Sequence, residues 1–429
     1  MVFLTCNKPV ENTTDMYSIV PYPETLKVEN GSFHLNENTK FIILNNTEKS
    51  KNSSAVFRSL VHKKLGFDLK VETEQTTKRN FISIETTTDL PSEEAYHLSI
   101  SKNAIKLSGG SEKGIFNGLQ SLRQLLKIDI LEDGKKANGI AIPNVQIKDS
   151  PRYNWRGIMV DESRHFFGKE KIKQMLELMS LQKLNKFHWH LTDAPGWRIE
   201  IKKYPKLTEV GAWRVDQEDK HWDGRYTTSA DEKGTYGGFY TQEELKDLVA
   251  YAATKSIEII PEIEMPAHVT SAIASYPELS CHERPIGVPS GGVWPITDIY
   301  CAGKEHTFEF LENVLLEVID IFPSKYIHVG GDEATKTNWA KCADCKKRMQ
   351  SENLASVEEL QSYFIKRMER FINAKGKRLI GWDEILEGGI APEATVMSWR
   401  GVKGGVEAAK QGHDVIMTPG THCYFDHYQ

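Results

Sequence analysis

The 429-residue sequence lacks any long apolar run, which excludes a membrane-spanning helix, since such a helix needs about 18 or more apolar residues in succession. It also lacks an excess of one charge, because 54 Lys and Arg face 59 Asp and Glu, a net charge of −5. This balance excludes a dedicated nucleic-acid binder or a polybasic membrane-surface binder. Gly (31) and Pro (17) are too few for low-complexity sequence. We therefore expect a folded chain of two or three domains.

Cysteine is scarce, with six residues in the chain. Cys281 and Cys301 flank a loop rich in Gly and Pro, and a disulfide that closes this loop is one interpretation. Cys342 and Cys345 form a CxxC motif, but the sequence has no second CxxC of the kind that zinc sites use. We interpret this motif as a local feature of a surface loop and predict neither a metal nor a cofactor.

The first 150 residues mix short β-rich runs with two helical patterns. The runs lie at 40–44, 80–85, 96–101 and 104–108, and the helical patterns at 53–65 and 112–126. In the second pattern Ile115, Leu119 and Leu122 recur on one helix face. The mixture predicts a small α+β domain over 1–150, and this region has no cluster of catalytic residue types.

From residue 151 to 429, short apolar runs alternate with amphipathic helical stretches. Seven runs indicate strands, at 157–160, 186–191, 258–263, 326–329, 378–382, 395–399 and 414–417. Helical stretches lie between most of them, including 169–181, 241–254, 307–321 and 357–373. The alternation predicts a parallel sheet, and the length is close to the roughly 250 residues of a (β/α)8 TIM barrel. A doubly wound sheet is the alternative, but no G-x-G-x-x-G motif follows the first strand.

Polar residues gather at the carboxyl ends of the predicted strands, where barrel enzymes carry their active sites. The residues at or just after the seven strand ends are Asp161, Glu162, Arg164, His165, Asp193, Glu262, Glu264, His268, Asp332, Glu333, Trp382, Asp383, Glu384, Trp399, Arg400, Tyr424, Asp426 and His427. Carboxylates and Arg hydrogen-bond sugar hydroxyls, and Trp faces pack on the C–H surfaces of sugar rings. The pattern therefore indicates a carbohydrate site.

Asp332 and Glu333 are the obvious carboxyl pair for glycoside hydrolysis. Neighbours on a strand point to opposite faces, so both reach one pocket only where the strand gives way to a loop, and Gly330-Gly331 supplies that flexibility. Adjacent residues remain poorly placed to act from opposite sides of an anomeric carbon. One resolution is that Glu333 protonates the leaving group while the substrate supplies its own nucleophile, steered by Asp332.

The sequence resembles glycoside hydrolase family 20, the β-N-acetylhexosaminidases. The resemblance is carried by RGIMVDESRHF (156–166), KFHWHLTDAPGWRIEI (186–201), PEIEMPAH (261–268), YIHVGGDE (326–333), GWDEI (381–385) and MSWRG (397–401). It implies a TIM barrel behind a non-catalytic domain, and removal of terminal N-acetyl-β-D-hexosamine residues from oligosaccharides or glycoconjugates. It also implies retention of configuration through an oxazolinium intermediate that the substrate's own 2-acetamido group forms.

By this resemblance Glu333 is the general acid and then the general base. Asp332 hydrogen-bonds the acetamido N–H and stabilises the developing positive charge. Asp193 and His268 match a polar pair behind the catalytic Glu.

The resemblance assigns the remaining site residues to the sugar. Tyr424 matches a tyrosine that donates to the acetamido oxygen, and Trp382 and Trp399 match walls around the acetamido methyl group. Arg164 matches an arginine that binds the 3- and 4-hydroxyls, and Asp426 an acid that reaches the 6-hydroxyl.

The sequence departs from the family pattern after Tyr424, where no strand ending in Trp and Glu follows. We therefore expect the barrel to be one βα unit short and the natural protein to be longer. From the family we expect an extracytoplasmic location. The short apolar stretch before Cys6 is either an irregular start, which we favour, or the remnant of a lipoprotein signal.

Two other functions stay open at this point. His188 and His190 form an HxH pair whose imidazoles share one strand face, as in metal-dependent barrel hydrolases. We favour the interpretation that they are packed and hydrogen-bonded inside the barrel. The other function is a carbohydrate-binding protein without activity, and the intact Asp332-Glu333 pair counts against it.

Overall fold

The computed structural model describes residues 17–44, 48–133, 139–292 and 294–426. Cys6 and His427 lie outside the described residues, so the interpretation of Cys6 stays a prediction. The chain divides into two compact units: the first comprises the described residues up to Arg156 with the segments Met175–Asn185 and Ala252–Ile257, and the second comprises the rest. Among the described residues, no helix combines the length and apolar character that a membrane crossing requires.

Between residues 17 and 156, the described part of the first unit holds a seven-stranded mixed sheet and two α-helices. Its strands are β1 (Thr25–Leu35), β2 (Lys40–Ile43), β3 (Val71–Glu72), β4 (Phe81–Thr86), β5 (Tyr96–Ile100), β6 (Ala104–Gly109) and β7 (Ile140–Asp149). Its helices are α1 (Glu48–Leu65) and α2 (Glu112–Leu126). The sheet order is β1-β7-β5-β6-β4-β2-β3, antiparallel from β1 to β6 and parallel from β6 to β3. The predicted α+β class is confirmed.

Helix α2 shows why this unit folds from its sequence. The Ser111 side chain accepts a hydrogen bond from the Lys113 N–H and so caps the first turn. The predicted apolar face, Ile115, Leu119 and Leu122, is buried in the core against the sheet. Strand β1 is not among the predicted strands, because a register shift between Val28 and Ser32 interrupts its alternation of apolar and polar residues.

The second half of the chain alternates strands and helices. Its strands are β8 (Gly157–Asp161), β9 (Lys186–His190), β10 (Thr192–Asp193), β11 (Gly196–Trp197), β12 (Trp213–Arg214), β13 (Tyr236–Gly237), β14 (Glu258–Glu262), β15 (Tyr326–His328), β16 (Arg378–Trp382), β17 (Thr395–Ser398) and β18 (Val415–Met417). Its helices are α3 (Lys169–Leu181), α4 (Lys206–Glu209), α5 (Gln242–Thr254), α6 (Thr270–Ser275), α7 (Glu305–Ile321), α8 (Ala343–Ser351), α9 (Val357–Ala374), α10 (Lys403–Lys410) and α11 (Gly420–Cys423).

Seven of these strands form one parallel sheet in the order β18-β17-β16-β15-β14-β9-β8. Each predicted strand agrees with the observed one to within one residue at either end. The parallel order with helical crossovers confirms the predicted TIM-barrel class. The short ribbons β10–β11 and β12–β13 lie in the loops after β9, where the sequence has no regular period.

The register of the parallel sheet aligns polar residues at its carboxyl edge. Asp161 of β8 lies beside His190 of β9, His190 beside Glu262 of β14, and Glu262 beside His328 of β15. Aligned residues on neighbouring strands share a face of the sheet, so these four side chains meet. An alternating row of acids and imidazoles results.

Four cysteines lie close together, and this corrects both expectations about them. Cys281 and Cys301 are free thiols, so the expected disulfide between them is wrong. Cys345 of the CxxC motif is fully buried, with its Sγ 3.6 Å from that of Cys301, so the motif is more than a surface feature. The second pair of cysteines comes from a different loop, which spacing along the chain could not show.

Candidate active site

Asp332 and Glu333 reach the same side of the barrel mouth because the backbone at this turn is left-handed. The φ angle is +66° at Gly330, +98° at Gly331 and +50° at Glu333. At Gly330 an added Cβ would lie 1.7 Å from Oε2 of the buried Glu264, so only glycine fits. In a strand, the side chains of adjacent residues point to opposite faces. Because the backbone turns here, the side chains of Asp332 and Glu333 can both reach one pocket.

His268 lies between the acid pair and Asp193. Its Nε2 is 3.3 Å from Asp332 Oδ2 and 3.2 Å from Glu333 Oε2, and its Nδ1 is 3.0 Å from Asp193 Oδ1. Burial by itself lowers the pKa of His268, but Asp193 and Asp332 outweigh burial and raise this pKa well above its usual value. A protonated imidazole therefore links the three carboxylates.

Asp193 is buried and fully paired by cationic groups. Its Oδ2 lies 2.7 Å from Arg164 Nη1 and 3.0 Å from His190 Nε2, and Arg164 Nη1 also lies 2.8 Å from Asp161 Oδ2. Burial acts to raise the pKa of Asp193, but Arg164 and His268 hold that pKa well below its usual value. Arg164 is thus fixed at the barrel mouth by two carboxylates.

Glu262 lies at the centre of a second buried cluster. His190 Nδ1 is 2.5 Å, His188 Nε2 2.8 Å and His328 Nδ1 2.8 Å from its carboxylate oxygens, and the Trp382 indole N–H donates to Oε1 at 2.8 Å. His188, Glu262 and His328 are close enough to share a metal ion. Both imidazoles of the HxH pair are buried, as the packed interpretation predicts. His190 hydrogen-bonds Glu262 and Asp193, whereas His188 contacts Glu262 without hydrogen-bond geometry, so the hydrogen-bonded part of that interpretation describes His190 only. Glu262 also holds Trp382 in place.

Trp399 and Tyr424 form an aromatic wall beside the acids. Their rings stack with centroids 6.3 Å apart at 26°, and the Trp399 indole N–H donates to Glu384 Oε2 at 3.0 Å. Burial raises the pKa of Tyr424, and Asp332 raises it further, which places the phenol near that acid. Burial, with Asp332 next, raises the pKa of Glu384 to about 8. Asp426 is exposed, and its charge acts on Tyr424.

A cavity of about 290 Å³ opens beside Glu333 and His268. It is lined by four of the nine predicted site residues: Arg164, Asp193, His268 and Glu333. Trp222 and Trp294 line it as well, and they belong to the long loops after β9 and β14. Sequence reasoning missed both tryptophans because these loops have no period that marks an inward-facing residue.

The orientation of Trp222 is fixed by two cations. The guanidinium carbons of Arg225 and Arg214 lie 5.0 Å and 5.7 Å from the Trp222 ring centroid, within cation–π range. Both arginines hydrogen-bond Glu218 Oε1, at 2.8 Å and 2.7 Å. Trp222 therefore presents to the cavity an aromatic ring that two arginines hold in position.

The predicted site residues are thus brought together, although not all line the cavity. Trp382 is connected to it through Glu262 and His190, and Trp399 stacks on Tyr424, whose pKa Asp332 raises. Glu262 was predicted only as one of the strand-end residues and His190 only as part of the HxH pair, so their contact with each other was not predicted. The aligned register of β9 and β14 would have revealed this contact, but the sequence does not contain that register.

Two family models match the chain. The model described as glycosyl hydrolase family 20, catalytic domain, matches residues 153–429, and the model described as glycosyl hydrolase family 20, domain 2, matches residues 16–150. A beta-hexosaminidase from Porphyromonas gingivalis is 43% identical over 415 residues, which are 96% of this chain and 51% of that relative. The chain thus spans about half the length of this curated relative.

Solved structures of β-N-acetylhexosaminidases are also similar to this chain. A β-N-acetylhexosaminidase from Bacteroides fragilis superposes with a TM-score of 0.79 at 32% identity, over 95% of this chain and 76% of that one. A GH20 exo-β-N-acetylglucosaminidase from Vibrio harveyi, solved with N-acetylglucosamine, superposes with a TM-score of 0.80 at 31% identity, over 94% and 61% of the two chains.

Proposed function

The chain belongs to glycosyl hydrolase family 20, and on this premise we propose that it is a retaining β-N-acetylhexosaminidase. It removes terminal non-reducing N-acetyl-β-D-hexosamine residues from oligosaccharides or glycoconjugates. One observation supports this proposal above the others: Asp332 and Glu333 both lie within 3.3 Å of one imidazole nitrogen of His268, and His268 and Glu333 line a cavity. Two carboxylates that meet at one nitrogen are too close together to flank a sugar ring, which suits a reaction in which the substrate supplies the nucleophile.

In the first step Glu333 protonates the glycosidic oxygen as the bond from this oxygen to the anomeric carbon breaks. The acetamido carbonyl oxygen of the same sugar attacks the anomeric carbon and forms an oxazolinium ring. In the second step Glu333 takes a proton from water, the water oxygen bonds to the anomeric carbon, and the ring opens. Two inversions at one carbon give retention.

Asp332 stabilises the positive charge that develops on the acetamido group. Its negative charge faces the acetamido N–H, and the Tyr424 hydroxyl, which lies near Asp332, donates to the acetamido oxygen. Trp382 and Trp399 are each oriented by an indole hydrogen bond, to Glu262 and to Glu384. These fixed rings enclose the acetamido methyl group.

Arg164 and Asp426 bind the sugar hydroxyls. Arg164 lines the cavity and is held by Asp161 and Asp193, so the guanidinium is oriented before the sugar arrives. It binds the 3- and 4-hydroxyls. Asp426, exposed beyond Tyr424, reaches the 6-hydroxyl.

The test measures release of aryl alcohol from aryl N-acetyl-β-D-glucosaminide and N-acetyl-β-D-galactosaminide. The aryl β-D-glucoside, which lacks the acetamido group, is the comparison substrate. We expect turnover of the acetamido sugars alone, and a loss of about 10³-fold or more in kcat for Glu333→Gln, because no proton reaches the leaving group. The matched control is Glu407→Gln, an exposed residue on α10, which keeps wild-type rates.

The outcomes separate the three functions. Turnover of the glucoside at a comparable rate would exclude substrate assistance. Loss of turnover on brief treatment with EDTA, with Glu333→Gln active, would favour a metal-dependent hydrolase at the HxH pair. Sugar binding by a folded chain without turnover would favour the inactive binding protein.

A further inference from the structure

The four cysteines that correct the sequence interpretation form a compact cluster away from the catalytic acids. Their Sγ atoms all lie within 4.8 Å of one another. The separations are 3.6 Å for Cys301–Cys345, 3.8 Å for Cys301–Cys342 and 3.8 Å for Cys281–Cys345. From this geometry we propose that Cys281, Cys301, Cys342 and Cys345 bind one zinc ion as a structural site.

Three of the six sulfur–sulfur separations match the edges of a tetrahedron around a metal, and the other three are at most 4.8 Å. Thiolates bound to Zn²⁺ at about 2.3 Å in tetrahedral geometry are about 3.8 Å apart along each edge. A disulfide instead needs about 2.0 Å between two sulfurs and leaves the other two aside. Four mutual neighbours fit a shared central ion, and four soft sulfur ligands in this geometry favour zinc.

Two loops supply the ligands in pairs. Cys281 and Cys301 lie at the two ends of one loop, where Ser280 and Tyr300 form an antiparallel bridge and the Cys301 N–H donates to Leu279 O at 2.8 Å. This bridge brings residues 20 apart in sequence side by side. The backbone on either side of the loop thus holds the first pair in place without a disulfide.

The second pair lies at the start of helix α8. Cys342 is the residue before the first turn and Cys345 lies within it, so both are at the positive end of the helix dipole, which stabilises thiolates. Gly303 packs directly on this turn, because an added Cβ there would lie 2.2 Å from the Asp344 carbonyl carbon and 2.3 Å from the Cys345 nitrogen. Only a glycine lets the two loops approach this closely.

Lys304 orders the backbone beside the cluster. Its Nζ donates to Ser280 O at 2.8 Å and to Glu278 O at 3.0 Å, and it pairs with Glu283 at 2.5 Å. These contacts fasten the backbone just before Cys281 to the residue that follows Gly303.

The position of the cluster suggests what the zinc stabilises. Cys281 and Cys301 follow β14, in the loop region that also carries His268, and the CxxC follows β15 and the acid pair. The Tyr300 N–H donates to Pro266 O at 2.9 Å, and the Trp339 indole N–H donates to Tyr300 O at 2.8 Å. The zinc ion therefore joins the loop that holds His268 to the loop that holds Asp332 and Glu333. Its ligands are the four cysteines, and it contacts neither His268 nor the acids.

The experiment measures metal by plasma mass spectrometry in the full chain, purified without chelator. We expect about one zinc ion per chain in the wild type and in Cys423→Ser, the matched control, because Cys423 is exposed and outside the cluster. We expect a loss of at least tenfold in zinc content for Cys301→Ser and Cys345→Ser.

A second measurement keeps the test valid if these variants fail to fold. In the folded wild type, alkylation followed by peptide mapping is expected to label Cys423 and to spare the four cluster cysteines. A mercurial reagent is then expected to release the zinc to a colorimetric indicator. Cobalt(II) in place of zinc is expected to give the intense visible absorption of a tetrahedral thiolate site.

Several results would overturn the proposal. They are a folded chain without zinc, disulfide-linked peptides that contain the cluster cysteines, iron in place of zinc, or zinc that persists in Cys345→Ser. None of these measurements uses turnover, so the zinc site can be confirmed or excluded whether or not the chain has the proposed hexosaminidase activity.

Discussion

At the scale of single residues, the site depends on a chain of alternating charges. Arg164, Asp193 and His268 follow one another at 2.7 Å and 3.0 Å, and His268 ends against Glu333 at 3.2 Å. Arg164 lowers the pKa of Asp193, and Asp193 raises the pKa of His268. Glu333 therefore contacts an imidazolium whose positive charge is maintained by a buried aspartate.

The first prediction concerns Asp193→Asn, which removes one negative charge from His268. Since Asp193 and Asp332 raise the pKa of His268, losing one of them lowers it. We expect kcat/KM to fall by about 10–100-fold, and the alkaline limb of its pH profile to move down by roughly one pH unit or more. Asp320→Asn, at an exposed residue, is the control. A uniform fall in rate with an unmoved profile would assign Asp193 a purely structural role.

At the scale of elements, loops at the carboxyl ends of the strands decide where side chains point. The turn after β15 carries two glycines and Glu333 at positive φ, and the long loop after β9 carries a braced tryptophan. These loops have no hydrophobic period, so their conformation follows from packing against the barrel rather than from their own sequence.

The second prediction compares Gly330→Ala with Gly376→Ala. Both glycines have positive φ, +66° and +73°, so both substitutions cost about 1–2 kcal/mol of stability in backbone strain. A Cβ at Gly376 meets no described atom within 4 Å, whereas at Gly330 it meets the buried Glu264. We expect Gly330→Ala to lose roughly 1–3 kcal/mol more and at least tenfold in kcat, measured by urea unfolding and turnover. Equal losses in the two variants would show that the steric contact is unimportant.

The third prediction concerns Trp222→Ala in the loop after β9. Trp222 and Glu333 line the same cavity. The hypothesis under test is that the ring contacts the substrate on its leaving-group side. We expect KM for a disaccharide of N-acetylglucosamine to rise about 10-fold, since stacking on an aromatic face contributes about 1 kcal/mol or more. KM for methyl N-acetyl-β-D-glucosaminide, whose leaving group is only methanol, is expected to change little. Equal changes with both substrates would place Trp222 outside the leaving-group side.

At the scale of the whole molecule, buried acids connect global stability to pH. Glu384 is 5% exposed, and its pKa is raised from 4.5 to about 8, first by burial and then by Asp332. The folded chain therefore retains a proton that the unfolded chain releases between these two pH values. Its contribution to stability is complete below about pH 4.5 and is lost as pH rises through 8.

The fourth prediction is that the free energy of unfolding falls from pH 5 to pH 9 and that Glu384→Gln removes part of this fall. The part removed is on the order of a few kcal/mol, because a neutral amide has no proton to lose. Denaturant unfolding at several pH values measures it, with Glu407→Gln as the control. The same pH dependence in Glu384→Gln and the wild type would assign the proton to another group.

The sequence by itself determined the class of fold and the family. Apolar runs and amphipathic stretches mark strands and helices through local periodicity, and the motifs around Asp332-Glu333 identify the family. What only the tertiary structure decided is which distant residues meet. The parallel register joined His190 to Glu262, positive φ angles turned two adjacent acids to one side, and two loops assembled four cysteines. Such contacts depend on packing between segments far apart in the chain, which no local pattern contains.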